Sequence, residues 1–395
     1  MNRTLRISFF ALASLAIVAC SDDNQTPITN STVNKKDIVE NYADIAYANY
    51  KLAYDDAVVL EAAINTFTTN PTEDNFIAAK ESWKTARESY GTTEAFRFSN
   101  GPIDSENNDN APEALMNAWP LDENYIDYTD NNGSIVNGGI INEPVLYPTL
   151  TKELLESLNE DGGEKNISTG YHAIEFLLWG QDLTAPSDNL PGQRLYTDFI
   201  DGGTALNATR RSAYLNICAD LLTDHLDYLV NQWQEGGAYR AEFLALDENV
   251  ALKNIYLGIT TLISAELPVE RMEVALENAD QEDEHSCFSD NTHRDVILNL
   301  QGVINVYQGK FGTIEGASLQ KLVNLVDPAT GQATNESLAA SVIKANAIMN
   351  PFDIAISGGP TSTEGIKVKD AALQFKDFGS NLLAGASKLG ISVNN

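Results

Sequence analysis

Apolar residues recur at helical intervals along most of the chain, and this periodicity limits the fold more than any other feature of the sequence. In residues 36–68 they lie three, four and seven positions apart, and residues 205–234 and 247–280 carry stripes of the same period. This spacing puts the apolar side chains on one face of a helix, where they can pack into a core. Further helices are predicted at residues 72–98, 149–158, 168–179, 294–308, 316–326, 335–349 and 365–388. Because strand-like alternation is rare, the predicted class is all-α, built from bundles of long antiparallel helices.

Two stretches without helical periodicity interrupt these helices. Residues 99–146 and 184–204 are rich in glycine, proline, asparagine and aspartate. Long irregular segments in a compact protein are often functional. The second stretch predicts a domain boundary near residue 203, and a chain of 395 residues is long enough for two domains. We therefore expect an N-terminal helical bundle over residues 36–203 and a C-terminal one over 204–395.

A faint internal repeat is compatible with two related bundles. Residues 94–101 and 284–291 each place a glutamate four positions before a Phe-Ser pair, which is followed by asparagine or aspartate. Each segment comes after a predicted long helix. This shared context is the basis for the hypothesis that the two domains arose by internal duplication.

The N-terminus has the pattern of an export signal. Arg3 and Arg6 precede the apolar run 7–19, which is too short for an ordinary membrane span. Residues 1–19 are therefore predicted to be a signal peptide. This interpretation excludes them from the fold of the mature protein.

The residues that follow the signal predict how the mature chain is attached. Cys20 completes the sequence Ile-Val-Ala-Cys, which is similar to a bacterial lipobox, so Cys20 is the predicted lipidation site. The polar residues 20–35 then provide the lipid attachment and a flexible tether. Ser21 directly after the cysteine favours the outer membrane over other parts of the cell envelope. The alternative is an ordinary secretory signal that happens to end near a cysteine.

The charge of the chain excludes one class of partner. Fifty-six acidic residues against 25 basic ones give a net charge of −31. Nucleic-acid binding needs a positive footprint, which this chain lacks, so no nucleic-acid partner is expected. An acidic surface keeps an exported protein soluble and can concentrate cations, but it does not identify a function by itself.

A histidine and a glutamate stand one helical turn apart in the most apolar predicted helix. His172 and Glu175 share a helix face at this spacing and can reach one point. They could be two ligands of a metal ion, a hydrogen-bonded functional pair, or a structural pair. A catalytic zinc site usually has three protein ligands, so a metal would need residues from other segments.

Further polar clusters could supply those residues. Each also has an ordinary structural interpretation, such as helix capping, an internal salt bridge or a solvated run of charge. The two remaining cysteines, Cys218 and Cys287, could pair with each other, although their spacing does not assign a disulfide. The candidate ligand-binding residues outside the pair are Glu94, Arg97, Glu266, Arg271, Asp283, Glu284, His285 and His293.

Taken together, these blocks resemble the imelysin family. Gly170, His172 and Glu175 match its GxHxxE signature, and the similarity extends through most of residues 36–390. The other matching blocks lie at residues 87–104, 119–122, 266–272, 281–295 and 306–309. The resemblance implies two helical bundles with the GxHxxE site near their interface. It also implies an exported, often lipid-anchored bacterial protein linked to iron acquisition, in a family classed with metallopeptidases.

Three functions remain open on this basis. The first is an envelope lipoprotein that binds iron, another divalent metal or an iron-bearing small ligand through His172 and Glu175, and that works with outer-membrane uptake partners. The second is a metallopeptidase in which the same two residues are catalytic. The third is a structural or interaction lipoprotein that has no ligand. In each case the lipid anchor is the only expected contact with the membrane.

Overall fold

The computed structural model describes residues 33–105 and 111–393. The predicted signal peptide, the lipidation site Cys20 and the tether up to residue 32 lie outside the described residues. Helices make up 66% of the described residues, and the strands among them are few and short. The predicted all-α class is therefore confirmed.

The first half of the fold begins with two long helices and continues into the shorter helices of the irregular segments. Asn34 and Thr72 cap the two long helices, since their side chains accept hydrogen bonds from the backbone N–H groups of Asp37 and Asn75. Strands β1 (Thr129–Asn131) and β2 (Ser134–Val136) form an antiparallel hairpin. The α-helices of this half are α1 (Lys35–Thr69), α2 (Glu73–Gly91), α3 (Glu113–Met116), α4 (Glu123–Ile126), α5 (Gly139–Asn142), α6 (Lys152–Leu158), α7 (Gly170–Trp179) and α8 (Ala208–Trp233). Short 3-10 helices cover Thr93–Phe96, Pro186–Asp188 and Tyr196–Phe199.

The second half is again helical, with one small hairpin and one short 3-10 helix at Gln281–Asp283. Strands β3 (Lys310–Phe311) and β4 (Ile314–Glu315) form that hairpin. The α-helices are α9 (Ala238–Ala245), α10 (Glu248–Thr261), α11 (Val274–Asn278), α12 (Thr292–Gln308), α13 (Leu319–Val326), α14 (Pro328–Ala345), α15 (Phe352–Ile356) and α16 (Thr363–Lys388).

A π-helix at Leu262–Glu273 joins α10 to α11 without a break. Pro268 lies inside it and cannot donate a backbone hydrogen bond, which favours a departure from α-helical geometry. The combined helix Glu248–Asn278 is long and apolar enough to span a membrane by length and composition alone, but more than half of its most apolar window is buried inside the fold. That burial is typical of a core helix.

The long helices pack in two groups that share central members. One group is α1 with α2 and α8, and the other is α14 and α16 with the π-helix. Helices α10 and α12 contact members of both groups, so the described residues form one compact unit. Because α8 begins just after residue 203 yet packs along α1, the helix packing crosses that position. The division into domains at residue 203 stays a prediction, as does the internal duplication.

Helix α7 lies in the centre of the fold, and all ten of its residues are buried. Its first residue, Gly170, has a φ of +86°, and a Cβ atom there would lie 2.5 Å from the carbonyl oxygen of Met116. Glycine is therefore required where α7 meets the end of α3. This close approach fixes the start of the helix two residues before His172.

Candidate functional site

The His172–Glu175 pair forms the contact that its spacing predicts. His172 Nδ1 lies 3.0 Å from Glu175 Oε2, and both side chains are buried. The other carboxylate oxygen, Oε1, accepts hydrogen bonds from the backbone N–H of Ser289 at 3.0 Å and from its hydroxyl at 2.6 Å. Ser289 therefore fixes the carboxylate, and the carboxylate fixes the imidazole. By contrast, His172 Nε2 is buried and has no hydrogen-bond partner among the described residues.

A second histidine–carboxylate pair lies against the first. The imidazole rings of His172 and His285 are 4.7 Å apart and nearly perpendicular. His285 Nδ1 lies 2.8 Å from Asp295 Oδ2, which also accepts a hydrogen bond from the hydroxyl of Ser286. Arg87 donates to the other oxygen of Asp295 at 2.8 Å. Each imidazole is thus oriented through Nδ1 by a fixed carboxylate, an arrangement that directs Nε2 toward a ligand.

A network of charged groups lies next to the two histidines and extends toward solvent. Arg271 donates to Glu94 at 2.6 Å and to Glu266 at 3.1 Å. Arg97 lies within ion-pair distance of both of these glutamates and, at 3.1 Å, of the partly buried Glu113. Asn117 connects this network to the second histidine pair, because it accepts from Arg87 and donates to Glu94. The two sets of residues therefore form one continuous polar site.

The π-helix explains why Glu266 and Arg271 meet. Residues five positions apart on an α-helix point about 140° away from each other. A π-helix has an i to i+5 repeat, which puts the same two residues on one side. The ion pair between them therefore depends on the irregular geometry of Leu262–Glu273.

The electrostatics keep both histidines neutral near pH 7. Burial holds the pKa of His172 well below its usual range and, with Arg271, lowers the pKa of His285 to about 4. Burial also raises the pKa of Glu175 to about 8, against the opposing hydrogen bonds of Ser289. Burial would raise the pKa of Glu94 in the same way, but Arg271 and Arg97 together lower it to about 2. The carboxyl of Glu175 therefore stays mostly protonated near pH 7, whereas that of Glu94 is ionised.

The residues present do not fit a metal centre built from protein ligands alone. Among the described residues, no three histidine, cysteine, aspartate or glutamate side chains are arranged to hold a metal ion. Both oxygens of Glu175 are already engaged, one with His172 and one with Ser289. The donors that remain available are imidazole nitrogens, which are too few for a protein-only site.

Seven of the ten predicted site residues belong to this network, and three do not. Asp283 is partly exposed and accepts a hydrogen bond from Asn278. Burial and the nearby Asp353 raise the pKa of Glu284 well above its usual range, and no hydrogen bond or ion pair among the described residues joins Glu284 to the network. His293 lines a separate small cavity beside α12. The members of the network are His172, Glu175, Glu94, Arg97, Glu266, Arg271 and His285.

Several functional side chains were not among the predicted site residues. Arg87 lies seven positions before Glu94, and this helical spacing could have indicated that the two side chains lie on the same face. Asp295 and Ser289 come from the same block as His285, but nothing in their spacing predicts their contacts. Asn117 lies in an irregular segment and has no periodic signal. Cys218 and Cys287, which could have paired, are both free thiols.

The fold and this site define an all-α protein with a buried histidine–carboxylate centre, and the comparisons with known proteins give that class a family. The model of the imelysin family, which carries a peptidase label, matches residues 46–376, so the chain belongs to the imelysin family. The chain is 27% identical over 350 residues to a Synechococcus elongatus protein named iron-regulated protein A. That match covers 85% of this chain and 80% of the relative.

A solved structure supports the fold independently. It is a Parabacteroides distasonis protein described as an iron-regulated protein A precursor, with a TM-score of 0.67 and 16% sequence identity. The match covers 89% of this chain and 94% of that one. At this identity the comparison supports the fold alone.

Proposed function

We propose that this chain is an exported, extracytoplasmic protein of iron metabolism that binds an iron-bearing small ligand at the His172–His285 pair. Membership of the imelysin family and the name of the Synechococcus relative support the link to iron. A lipid anchor at Cys20 and delivery to an outer-membrane uptake partner are further parts of the proposal. The anchor can be checked by mass spectrometry of the mature N-terminus with and without Cys20→Ser.

The observation that carries the proposal is the free ring nitrogen of His172. Its Nδ1 is held by Glu175, while its Nε2 is buried with no hydrogen-bond partner among the described residues. Leaving a buried polar group unsatisfied costs about 1–3 kcal/mol. A ligand that accepts from or donates to Nε2 would remove this cost, so the arrangement favours binding at that atom.

The second histidine defines which ligand fits. Two imidazoles offer two donors, and the described residues provide no third ligand arranged to complete a metal site. An iron ion that brings its own chelating groups needs few donors from the protein. The site therefore favours an iron-bearing ligand over a bare ion.

Trp119 covers this position and indicates where the ligand enters. Its ring centroid lies 5.0 Å from that of His172 and 5.8 Å from that of Phe288. Trp119 is only partly buried, whereas the other three tryptophans are at most 2% exposed. Since it lies in the irregular segment that follows α3, it can move aside at a smaller cost than a residue of α7.

Calorimetric titration of the mature chain tests the proposal. Ferric citrate and haem are the iron-bearing probes, and ferrous iron alone is the bare ion. We expect saturable binding of at least one iron-bearing probe, loss of that binding in His172→Gln, and full binding in His225→Gln. His225 is the control because it lies on α8 beside Glu156, outside the site.

Two results would contradict the proposal. One is the absence of saturable binding for both iron-bearing probes, which would favour the structural alternative if His172→Gln still lowers the melting temperature. The other is unchanged binding in His172→Gln. Because the described residues provide no set of three metal ligands, the metallopeptidase alternative gains no support from the geometry and is not proposed.

A further inference from the structure

A cavity of about 680 Å³ opens beyond the C-terminal end of α7, and it is separate from the histidine site. It is lined by residues from Tyr128 to Ala208, including Gly180 and Gln181 directly after the helix. Gly180 is eight residues beyond His172, which corresponds to about 12 Å along a helix. The volume lies within the usual range of about 300–1,000 Å³ for small-molecule sites.

The floor of the cavity includes Tyr128, Arg194 and Asp198, which belong to a charge-balanced cluster with Asp127 and Arg211. Asp127 accepts from Arg194 at 2.7 Å and from Arg211 through both carboxylate oxygens, at 2.7 and 2.8 Å. Arg194 also lies 3.5 Å from Asp198, which accepts a hydrogen bond from the hydroxyl of Tyr128. Two guanidinium groups therefore face two carboxylates. Neither arginine has positive charge left to attract an anion.

The wall that carries Arg194 is fixed to the core. The backbone N–H of Arg194 donates to the carbonyl oxygen of Trp179 at 2.8 Å, and that of Gly192 donates to Phe288 at 2.9 Å. The guanidinium group also lies over the rings of Tyr128 and Phe176. The cavity is thus largely formed before any ligand binds, which reduces the entropic cost of binding.

The rim is apolar. Four large aliphatic side chains line it and are half exposed or more, namely Ile135 at 54%, Leu183 at 60%, Leu195 at 55% and Leu206 at 62%. Single exposed aliphatic residues are ordinary, but here four of them line the same cavity. An apolar ligand body would remove this surface from water.

Two further carboxylates give the rim a negative charge. Asp130 accepts from the backbone N–H of Gly133, and Asp201 accepts from the hydroxyl of Thr209. Neither forms an ion pair with a residue that the structure describes. With the floor balanced, these two groups leave the cavity with an excess of negative charge.

From this combination we propose that the cavity binds a small amphipathic cation, an organic molecule with an apolar body and one ammonium or guanidinium head group. The apolar body covers the four aliphatic side chains, and the head group pairs with Asp130 or Asp201. An anionic amphiphile of the same size meets two uncompensated carboxylates and no free cation. This site is independent of the proposed iron function, and its test involves no iron.

Titration of the mature chain with decylamine, decanol and decanoate tests the proposal, because these probes share one apolar body and differ in head-group charge. We expect decylammonium to bind saturably and about tenfold more tightly than decanoate, because the uncompensated carboxylates attract the ammonium group and repel the carboxylate probe. A tenfold difference in affinity corresponds to about 1.4 kcal/mol of binding free energy. Asp201→Asn is expected to weaken decylammonium binding and to leave decanol binding unchanged.

A matched pair of leucine variants tests the apolar part. Leu206→Ser should weaken all three probes by several-fold, because the loss of buried apolar area reduces binding by about 25 cal/mol per Å². Leu325→Ser, on α13 and outside the cavity, should have no effect, and Leu325 has the same 62% exposure as Leu206. Both side chains are exposed, so neither change should affect folding.

Three results would overturn the proposal. The first is the absence of saturable binding for all three probes, and the second is tighter binding of decanoate than of decylammonium. The third is an equal loss of binding in Leu206→Ser and Leu325→Ser, which would indicate non-specific adsorption to exposed leucines.

Discussion

Replacing Glu94 by glutamine tests whether the charged network stabilises the fold. Glu94 is buried, accepts from Arg271 at 2.6 Å and lies 3.3 Å from Arg97. The substitution keeps the size of the side chain but removes the negative charge that faces Arg271 and Arg97. Removing one partner of a buried ion pair typically costs about 3–5 kcal/mol, since the remaining charge is left without compensation.

The pKa of Glu94 gives a second figure of the same size. It falls from 4.5 to about 2 in the folded chain, and each pKa unit corresponds to about 1.4 kcal/mol, which gives about 3 kcal/mol. A carboxyl whose pKa is lowered by folding contributes its stability above pH 4.5. The contribution is lost as the pH falls toward 2. The deficit of Glu94→Gln should therefore be largest near neutral pH and shrink across that window.

Urea denaturation followed by circular dichroism measures this difference near pH 7 and near pH 3. The control is Glu88→Gln near the end of α2, because Glu88 pairs with Arg294 at the surface and exposed pairs contribute about 0–1 kcal/mol. The reasoning is refuted if Glu94→Gln and Glu88→Gln lose the same stability at neutral pH. It is also refuted if the deficit of Glu94→Gln does not change with pH.

Three further outcomes follow from the other buried groups. Burial raises the pKa of Glu175 from 4.5 to about 8, so the stability that depends on its protonated form is lost as the pH rises between these values. In Glu175→Gln the melting temperature should therefore depend less on pH over that range. The same pH dependence in the variant and the parent chain would contradict this. Ser289→Ala removes the 2.6 Å hydrogen bond to Glu175, and because this carboxyl is mostly protonated near pH 7 the loss should cost about 0.5–1.5 kcal/mol in urea denaturation, whereas Ser357→Ala at an exposed position should cost less. Cys218 and Cys287 are at most 2% exposed, so mass spectrometry should find no labelling of these thiols by a thiol reagent until denaturant is added. Stoichiometric labelling of the folded chain would contradict this prediction.

The parts of the site that lie on one helix could be predicted from the sequence. A spacing of three residues predicts that His172 and Glu175 share a helix face, and their side chains meet at 3.0 Å. The same spacing relates Glu94 to Arg97, which lie 3.3 Å apart. In these cases the local geometry of a helix, or of a single turn, determines the contact.

Contacts between distant segments could not be predicted in this way. Arg87 and Asp295 meet at 2.8 Å although 208 residues separate them, and no periodicity relates the two positions. Glu266 and Arg271 illustrate a different difficulty, because α-helical periodicity predicts divergent directions and only the π-helix brings them together. Local sequence patterns report faces of regular helices, whereas these contacts depend on tertiary packing and on a departure from regularity.

Buried arginines explain how the irregular segments become ordered enough to form a site. Asp127, which follows α4, is held by Arg194 from the second irregular segment and by Arg211 from α8. Arg210, on the same helix, donates to the backbone carbonyl oxygens of Ile140 and Ile141 in the first segment and of Tyr147 directly after it. Apolar side chains such as Ile126, Ile140 and Phe199 anchor parts of these segments in the core, and the guanidinium groups add several hydrogen bonds in a fixed geometry. Because these bonds specify one arrangement, substituting Arg211 should disorder the cavity wall while the histidine pair, fixed by Ser289 and Ser286 on another segment, keeps its geometry.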